Sequence, residues 1–190
     1  MYHGCAPVAF DDYVQSVMAQ LMDVVTPDPE RLRQALSHLT MTDQFRRRIG
    51  QAVTGGRSLY LYGEPGNGKT SIAQRLTDAY GGYVWIPRTI TCEGEIIRIF
   101  DSIVHTPVTV DTAVTGDYDE RWILIERPTI VVGGELMLEH LEFTPVPRVG
   151  ICEAPVHMKS NCGTLIVDDF GRQRIPISEL LNRWIVPLEK

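Results

Sequence analysis

The sequence predicts an α/β fold with a parallel sheet between helices, three layers in all, carrying a β-rich insertion. Three observations carry that prediction. Leu59-Tyr60-Leu61-Tyr62 is an apolar run of strand length that leads through a glycine-rich turn into Ser71-Ile72-Ala73-Gln74-Arg75-Leu76, the opening of an amphipathic helix. Gly163-Thr164-Leu165-Ile166-Val167 is a second apolar run, and it ends in paired carboxylates, Asp168 and Asp169. Between the two lies a long stretch of short β-type runs separated by turn residues.

The elements follow in order. Residues up to about Leu39 read as helical with breaks: Tyr13, Val14, Val17, Met18, Leu21 and Met22 recur at helical spacing, Thr26-Pro27-Asp28-Pro29 interrupts them, and Glu30 to Leu39 resumes the pattern. Thr42 and Asp43 can cap a helix running through Phe45, Ile49 and Val53 to a stop at Gly55-Gly56. Leu59–Tyr62 is the first parallel strand, Tyr83-Val84-Trp85-Ile86, after Gly81-Gly82, the second, and Thr164–Val167 the third. Thr89–Cys92 and Glu95–Phe100 flank Glu93-Gly94 as a β-hairpin, and Trp122–Glu126 with Thr129–Val132 reads as another strand pair around Arg127-Pro128. Asp111 to Arg121, rich in Thr and Asp, reads as a mobile loop, and Gly133-Gly134 precedes a helical patch around Leu136, Leu138 and Leu141. The expected organisation is a helical N-terminal segment or linker over 1–38 and a core over 39–190, with the insertion at about 88–134.

Composition narrows the function classes. A hydrophobic content of 44% is ordinary for a globular protein, and a net charge of −6 gives no electrostatic reason to expect nucleic acid or an anionic membrane as partner. Arg46-Arg47-Arg48, the basic cluster, reads as a solvated helix face. Cys5, Cys92, Cys152 and Cys162 are widely spaced without a Cys-x-x-Cys pair, which favours free thiols in a reducing compartment, so the cytoplasm is expected. Cys152, His157 and Cys162 lack the spacing and the fourth ligand of a zinc knuckle. His105 and His140 stand alone and read as surface or core groups. No apolar stretch approaches the length of a membrane span.

The chemistry concentrates at Gly63-Glu64-Pro65-Gly66-Asn67-Gly68-Lys69-Thr70, a complete Gly-x-x-x-x-Gly-Lys-Thr phosphate loop, with Ser71 just inside the following helix. Glycines let main-chain N–H groups curl around a phosphate, and the helix N-terminus adds partial positive charge. Lys69 can reach the β- and γ-phosphates of a nucleotide, and the Thr70 hydroxyl can ligate Mg2+. Ligands of a parallel sheet gather at the carboxyl ends of its strands. Asp168 is therefore expected beside the loop, holding the magnesium through water, and Asp169 is a candidate general base for the attacking water.

These two segments resemble those of the AAA+ ATPases, and among them the prokaryotic MoxR-like P-loop ATPases. The resemblance rests on Leu61–Thr70, on Leu165–Asp169 and on the helix-forming stretch from Ile177 to Glu189. It implies a P-loop NTPase core, ATP hydrolysis with Mg2+ in a homo-oligomeric ring, and remodelling of a protein client. It also implies phosphate and magnesium contacts for Lys69 and Thr70 and a second magnesium contact for Asp168. The family ends its strand in Asp-Glu, whereas Asp169 is one methylene shorter. The remaining strands, sensor residue, arginine finger and helical lid would fall beyond Lys190, so a piece of a longer ATPase is expected. A nucleotide-binding regulatory module without turnover is the alternative, and a kinase using the same loop a third. The absence of Asn-Lys-x-Asp disfavours GTP.

Overall fold

Short β-type runs along 83–98 organise one of the two units into which the chain divides. That unit takes residues 1–21, 82–130 and 138–165; the other takes 22–81, 131–137 and 166–190. The computed structural model describes residues 4, 6–21, 28–55, 58–64, 66–111 and 117–188, with side chains to residue 184. Met22, Thr26, Pro27, Gly56, Pro65 and the middle of the predicted loop after Asp111 thus lie outside the described residues. The architecture is mixed α/β, and its sheets contain both parallel and antiparallel pairs.

In the first unit, β1 (Val8–Ala9) leads into α1 (Phe10–Gln20), followed by β2 (Tyr83–Pro87), β3 (Thr89–Cys92) and β4 (Glu95–Arg98). Next come β5 (Trp122–Glu126), β6 (Thr129–Val132), which begins in this unit and ends in the other, a 3-10 turn at Leu138–Leu141, β7 (Thr144–Val146), β8 (Ile151–Glu153), the single-turn α5 (Val156–Lys159) and β9 (Thr164–Val167), likewise divided between the units. The predicted β3–β4 hairpin forms, its turn residues Glu93 and Gly94 taking the positive φ that a two-residue connection requires, 50° and 85°. It lies inside a five-stranded sheet of order β1-β3-β4-β8-β7, with β1 parallel to β3 and β8 parallel to β4. β1, β7 and β8 are too short to carry a period and were not expected.

Two strand pairings differ from expectation. β2 pairs antiparallel with β5 and so is not a strand of a parallel sheet. β5 does not fold back on β6, because Pro128 fixes its φ negative and a tight two-residue reversal needs positive φ. Instead β6 pairs with β9, and the bonds Thr164 N–H to Pro128 O and Asp168 N–H to Val132 O advance together along both strands, as in a parallel ladder. The core of this unit gathers Val8, Tyr13, Val84, Ile86, Ile90, Ile97, Ile99 and Ile125. Each such side chain contributes about 1.5–3 kcal/mol on burial.

Polar groups brace that core. The Tyr13 hydroxyl accepts from Asn161 Nδ2 at 2.7 Å, and burial pushes its pKa up to about 12. The Lys159 ammonium donates to Asp101 Oδ2 at 2.8 Å and Glu153 Oε2 at 2.7 Å, and Arg98 also pairs with Glu153. His105, at 3% exposure, accepts the Asp101 N–H at Nδ1 and therefore donates from Nε2 to the Lys159 carbonyl, 2.9 Å away. Burial holds its pKa below the ordinary histidine value. The isolated histidine of the sequence is thus a satisfied core group.

The second unit is helical at its centre. Asp28 caps α2 (Pro29–Ala35) by accepting the Glu30 N–H, and Thr42 caps α3 (Asp43–Thr54) by accepting that of Phe45, as predicted. These pack with α4 (Lys69–Leu76) and a 3-10 turn at Thr77–Ala79 through Leu32, Leu36, Ile49, Val53, Ile72 and Ala79. The predicted helix at the end of the sequence forms as α6 (Ile177–Leu188), with Leu180 buried.

Leu59–Tyr62, expected as the first parallel strand, is in no sheet among the described residues. Its alternation seats Leu61 against the helical cluster and leaves Tyr60 and Tyr62 at 70% and 84% exposure. Four apolar residues hold no information about a partner, and an unpaired run behaves as a connector. No helix among the described residues is long and apolar enough to cross a membrane.

Candidate functional site

The loop that follows Tyr62 is shaped by its glycines. Gly63, Gly66 and Gly68 have φ of 149°, 83° and 71°, and a Cβ on any of them would meet nothing within 4 Å. Main-chain conformation, not crowding, therefore demands glycine there. Gly68 is the N-cap of α4 and places no side chain on the first-turn N–H groups, which leaves that end open to an anion.

Lys69 folds back over the loop. Its ammonium donates to the carbonyls of Gly63 at 3.0 Å and Glu64 at 2.9 Å. Glu64, Gly66 and Asn67 are exposed, and Gly68, Lys69, Thr70 and Ser71 are half-buried. Pro65, also a candidate contact, lies outside the described residues.

Thr70 and Asp168 meet, although 98 positions separate them: Thr70 Oγ1 donates to Asp168 Oδ2 at 2.8 Å. Several bonds fix the carboxylate. Asp168 N–H joins Val132 O in the β6–β9 pairing, Asp168 Oδ1 accepts the Asp169 N–H at 2.9 Å, and Gln173 Nε2 donates to the Asp168 carbonyl at 2.8 Å. Gln173 is itself held by the Gly171 N–H, donated to its Oε1 at 2.7 Å. No motif pointed to Gln173, because its contribution runs through main-chain groups that a side-chain pattern does not record.

Asp169 takes a different position. It has φ of 48°, and its carboxylate, 65% exposed, stands 3.6 Å from Arg172. The turn that bends the chain after β9 therefore parts the two carboxylates: one faces Thr70 and the other faces solvent and an arginine. Aromatic rings flank the site. Tyr60 stacks on Tyr62 with centroids 6.2 Å apart, and Phe170 meets Tyr60 edge-on at 6.4 Å.

Among the described residues, no group of three or more His, Cys, Asp or Glu side chains could hold a metal ion. Mg2+ makes a smaller demand, since it keeps several waters and takes one or two protein oxygens beside its phosphates. Thr70 Oγ1 and Asp168 Oδ2, two hard oxygens 2.8 Å apart, fit that ion. Two of the thiols have other surroundings: Cys162 is buried, its pKa raised to about 11, with Sγ directed at the Val17 carbonyl, and Cys152 Sγ lies 4.0 Å from Glu95. No protein-family model and no curated protein matches the chain.

Proposed function

We propose that the chain binds ATP with Mg2+ at Gly63–Ser71 and hydrolyses it, as a P-loop ATPase of AAA+ type in a subunit ring whose turnover remodels a protein client. The observation that carries this reading is the 2.8 Å bond between Thr70 and Asp168, which joins the phosphate loop to the acidic strand end. The main-chain N–H groups of the loop and the N-terminus of α4 bind the phosphates. Lys69 exchanges the carbonyls of Gly63 and Glu64 for phosphate oxygens. Thr70 and Asp168 would hold the magnesium, which would supply charge neutralisation to the phosphate oxygens. Asp169 takes a proton from water as the water oxygen attacks the γ-phosphorus and the bond to the bridging oxygen breaks, giving ADP and phosphate. Tyr60 and Tyr62 offer exposed ring faces to the purine.

The test is phosphate release from ATP by the chain and by Lys69→Ala. Turnover confined to the unsubstituted protein supports the reading, and equal rates in both would remove it. One observation favours the second reading, a nucleotide-binding module without turnover: the short Asp169 carboxylate is paired with Arg172. Calorimetric ATP binding without phosphate release in the same sample identifies that case.

A further inference from the structure

The antiparallel β2–β5 pair builds an aromatic corner that includes none of the phosphate-loop residues. Pro87 stands opposite Trp122 in the register, and Trp85 opposite Leu124, so the two tryptophans occupy diagonal positions on one face of the ribbon. The Tyr118 ring leans against Trp85, with centroids 5.0 Å apart and planes at 49°. Together with Ser16 of α1 and Asp119, these three rings line an open cleft of about 250 Å3.

The corner is held rigidly. Gln20 of α1 accepts the Trp85 N–H at 2.7 Å and donates to the Trp85 carbonyl at 3.0 Å, as a neighbouring strand would. The Arg127 guanidinium donates to the Gln20 carbonyl at 3.0 Å and to that of Cys162 at 2.6 Å, tying the end of α1 down.

The carboxylate of Asp119 and the hydroxyl of Ser16 in the cleft already have partners. Both Asp119 oxygens accept from Arg121, Oδ1 from Nε and the main-chain N–H and Oδ2 from Nε and Nη2, and Ser16 Oγ accepts from Gln20 Nε2 at 2.9 Å. A sugar or a primary ammonium, which depends on free acceptors, is poorly served. A cation without N–H groups is well served: it needs π faces, tryptophan best of all, and a negative surround. Asp119 lines the cleft, Asp117 and Glu120 adjoin it in the sequence and Asp12 acts on Arg121, so carboxylates there outnumber the guanidiniums of Arg121 and of Arg88, whose Nε donates to the Glu120 carbonyl. The volume is below the roughly 300–1,000 Å3 of drug-sized pockets and suits a head group.

We propose that the Trp85–Tyr118–Trp122 cleft binds a trimethylammonium head group.

The experiment titrates the full chain with choline and with its neutral tert-butyl isostere at matched ionic strength, reading intrinsic tryptophan fluorescence. Saturable quenching by choline is expected, with Kd on the order of 1 mM for so small a ligand, and at least roughly fivefold weaker binding of the neutral isostere. Tyr118→Ala, at a residue 41% exposed, should weaken choline at least about threefold while far-ultraviolet circular dichroism stays unchanged. This variant keeps the test sharp even where Trp122→Ala, which touches the core, unfolds the unit. A trimethyl-lysine peptide run in parallel distinguishes a protein-borne head group, which binds more tightly than choline, from a free one, which does not. Equal binding of the isostere, or absence of saturable quenching by choline and peptide alike, overturns the proposal. None of these readouts depends on ATP.

Discussion

Gln20 and Trp85 are joined by two hydrogen bonds of opposite sense: the amide oxygen of Gln20 receives the Trp85 N–H, and its amide nitrogen reaches the Trp85 carbonyl. A helix side chain thereby satisfies both main-chain groups of a residue in β2. Gln20→Ala should cost about 1–3 kcal/mol, since two partly buried main-chain groups lose their partner. A shift of the urea midpoint checks this, and an unchanged midpoint would show water replacing the amide without loss.

Asp168→Asn keeps the volume of the side chain and removes its charge beside Thr70. ATP affinity in the presence of Mg2+ should fall by about 10–100-fold, whereas affinity in EDTA should stay nearly constant. A fluorescent ATP analogue titrated under both conditions separates the two, and an equal loss in EDTA would assign Asp168 to the fold alone.

Asp169 carries no such load in the resting site, being exposed and paired with Arg172. Asp169→Ala should leave ATP affinity unchanged and lower turnover by about 10²–10⁴-fold. Single-turnover phosphate release measures the effect. Full activity in this variant removes Asp169 from the chemistry.

His105 makes the stability of its unit pH-dependent. Its pKa is depressed below the ordinary 6.5 by burial, so on acidification the unfolded chain takes up the proton first. The contribution is therefore complete above about pH 6.5 and is lost as pH falls below it towards the depressed native value. Urea midpoints at pH 8 and pH 5.5 should diverge for the native protein and converge for His105→Gln. A parallel pH response in both proteins would assign the effect to other groups.

Gly163→Ala should destabilise by about 1–3 kcal/mol, because the added Cβ would fall 2.1 Å from the Pro128 carbonyl oxygen. That oxygen already accepts from Thr164 N–H in the β6–β9 pairing and has little freedom to move. Differential scanning calorimetry provides the measurement, and an unaltered Tm would mean that the strand pair yields.

Much of the chain was legible because its signals are local. Thr42 announces α3 by its cap, Glu93-Gly94 announces the hairpin by its turn chemistry, and Thr164–Val167 announces β9 by its β-branched run. Pairing was not legible, since it depends on residues far apart. Nothing near Tyr83 indicates that its partner is Glu126, and nothing in Leu59–Tyr62 indicates that it joins no sheet among the described residues. At the candidate site the loop, Thr70 and Asp168 could be read from spacing and strand context. Gln173 could not, because it works through main-chain carbonyls, and the turn that sends Asp169 to Arg172 depends on a positive φ that aspartate does not advertise.

The Lys69 ammonium rests on two carbonyls of its own loop. A phosphate arriving there meets a competitor, so its capture is a substitution. Weakly charged or monodentate anions lack the leverage to displace both carbonyls, whereas a polyphosphate chain engages the lysine and the α4 N–H groups at once. On the proposed reading the loop would thus discriminate by valency before any base is read, and on release the lysine would return to its two carbonyl oxygens.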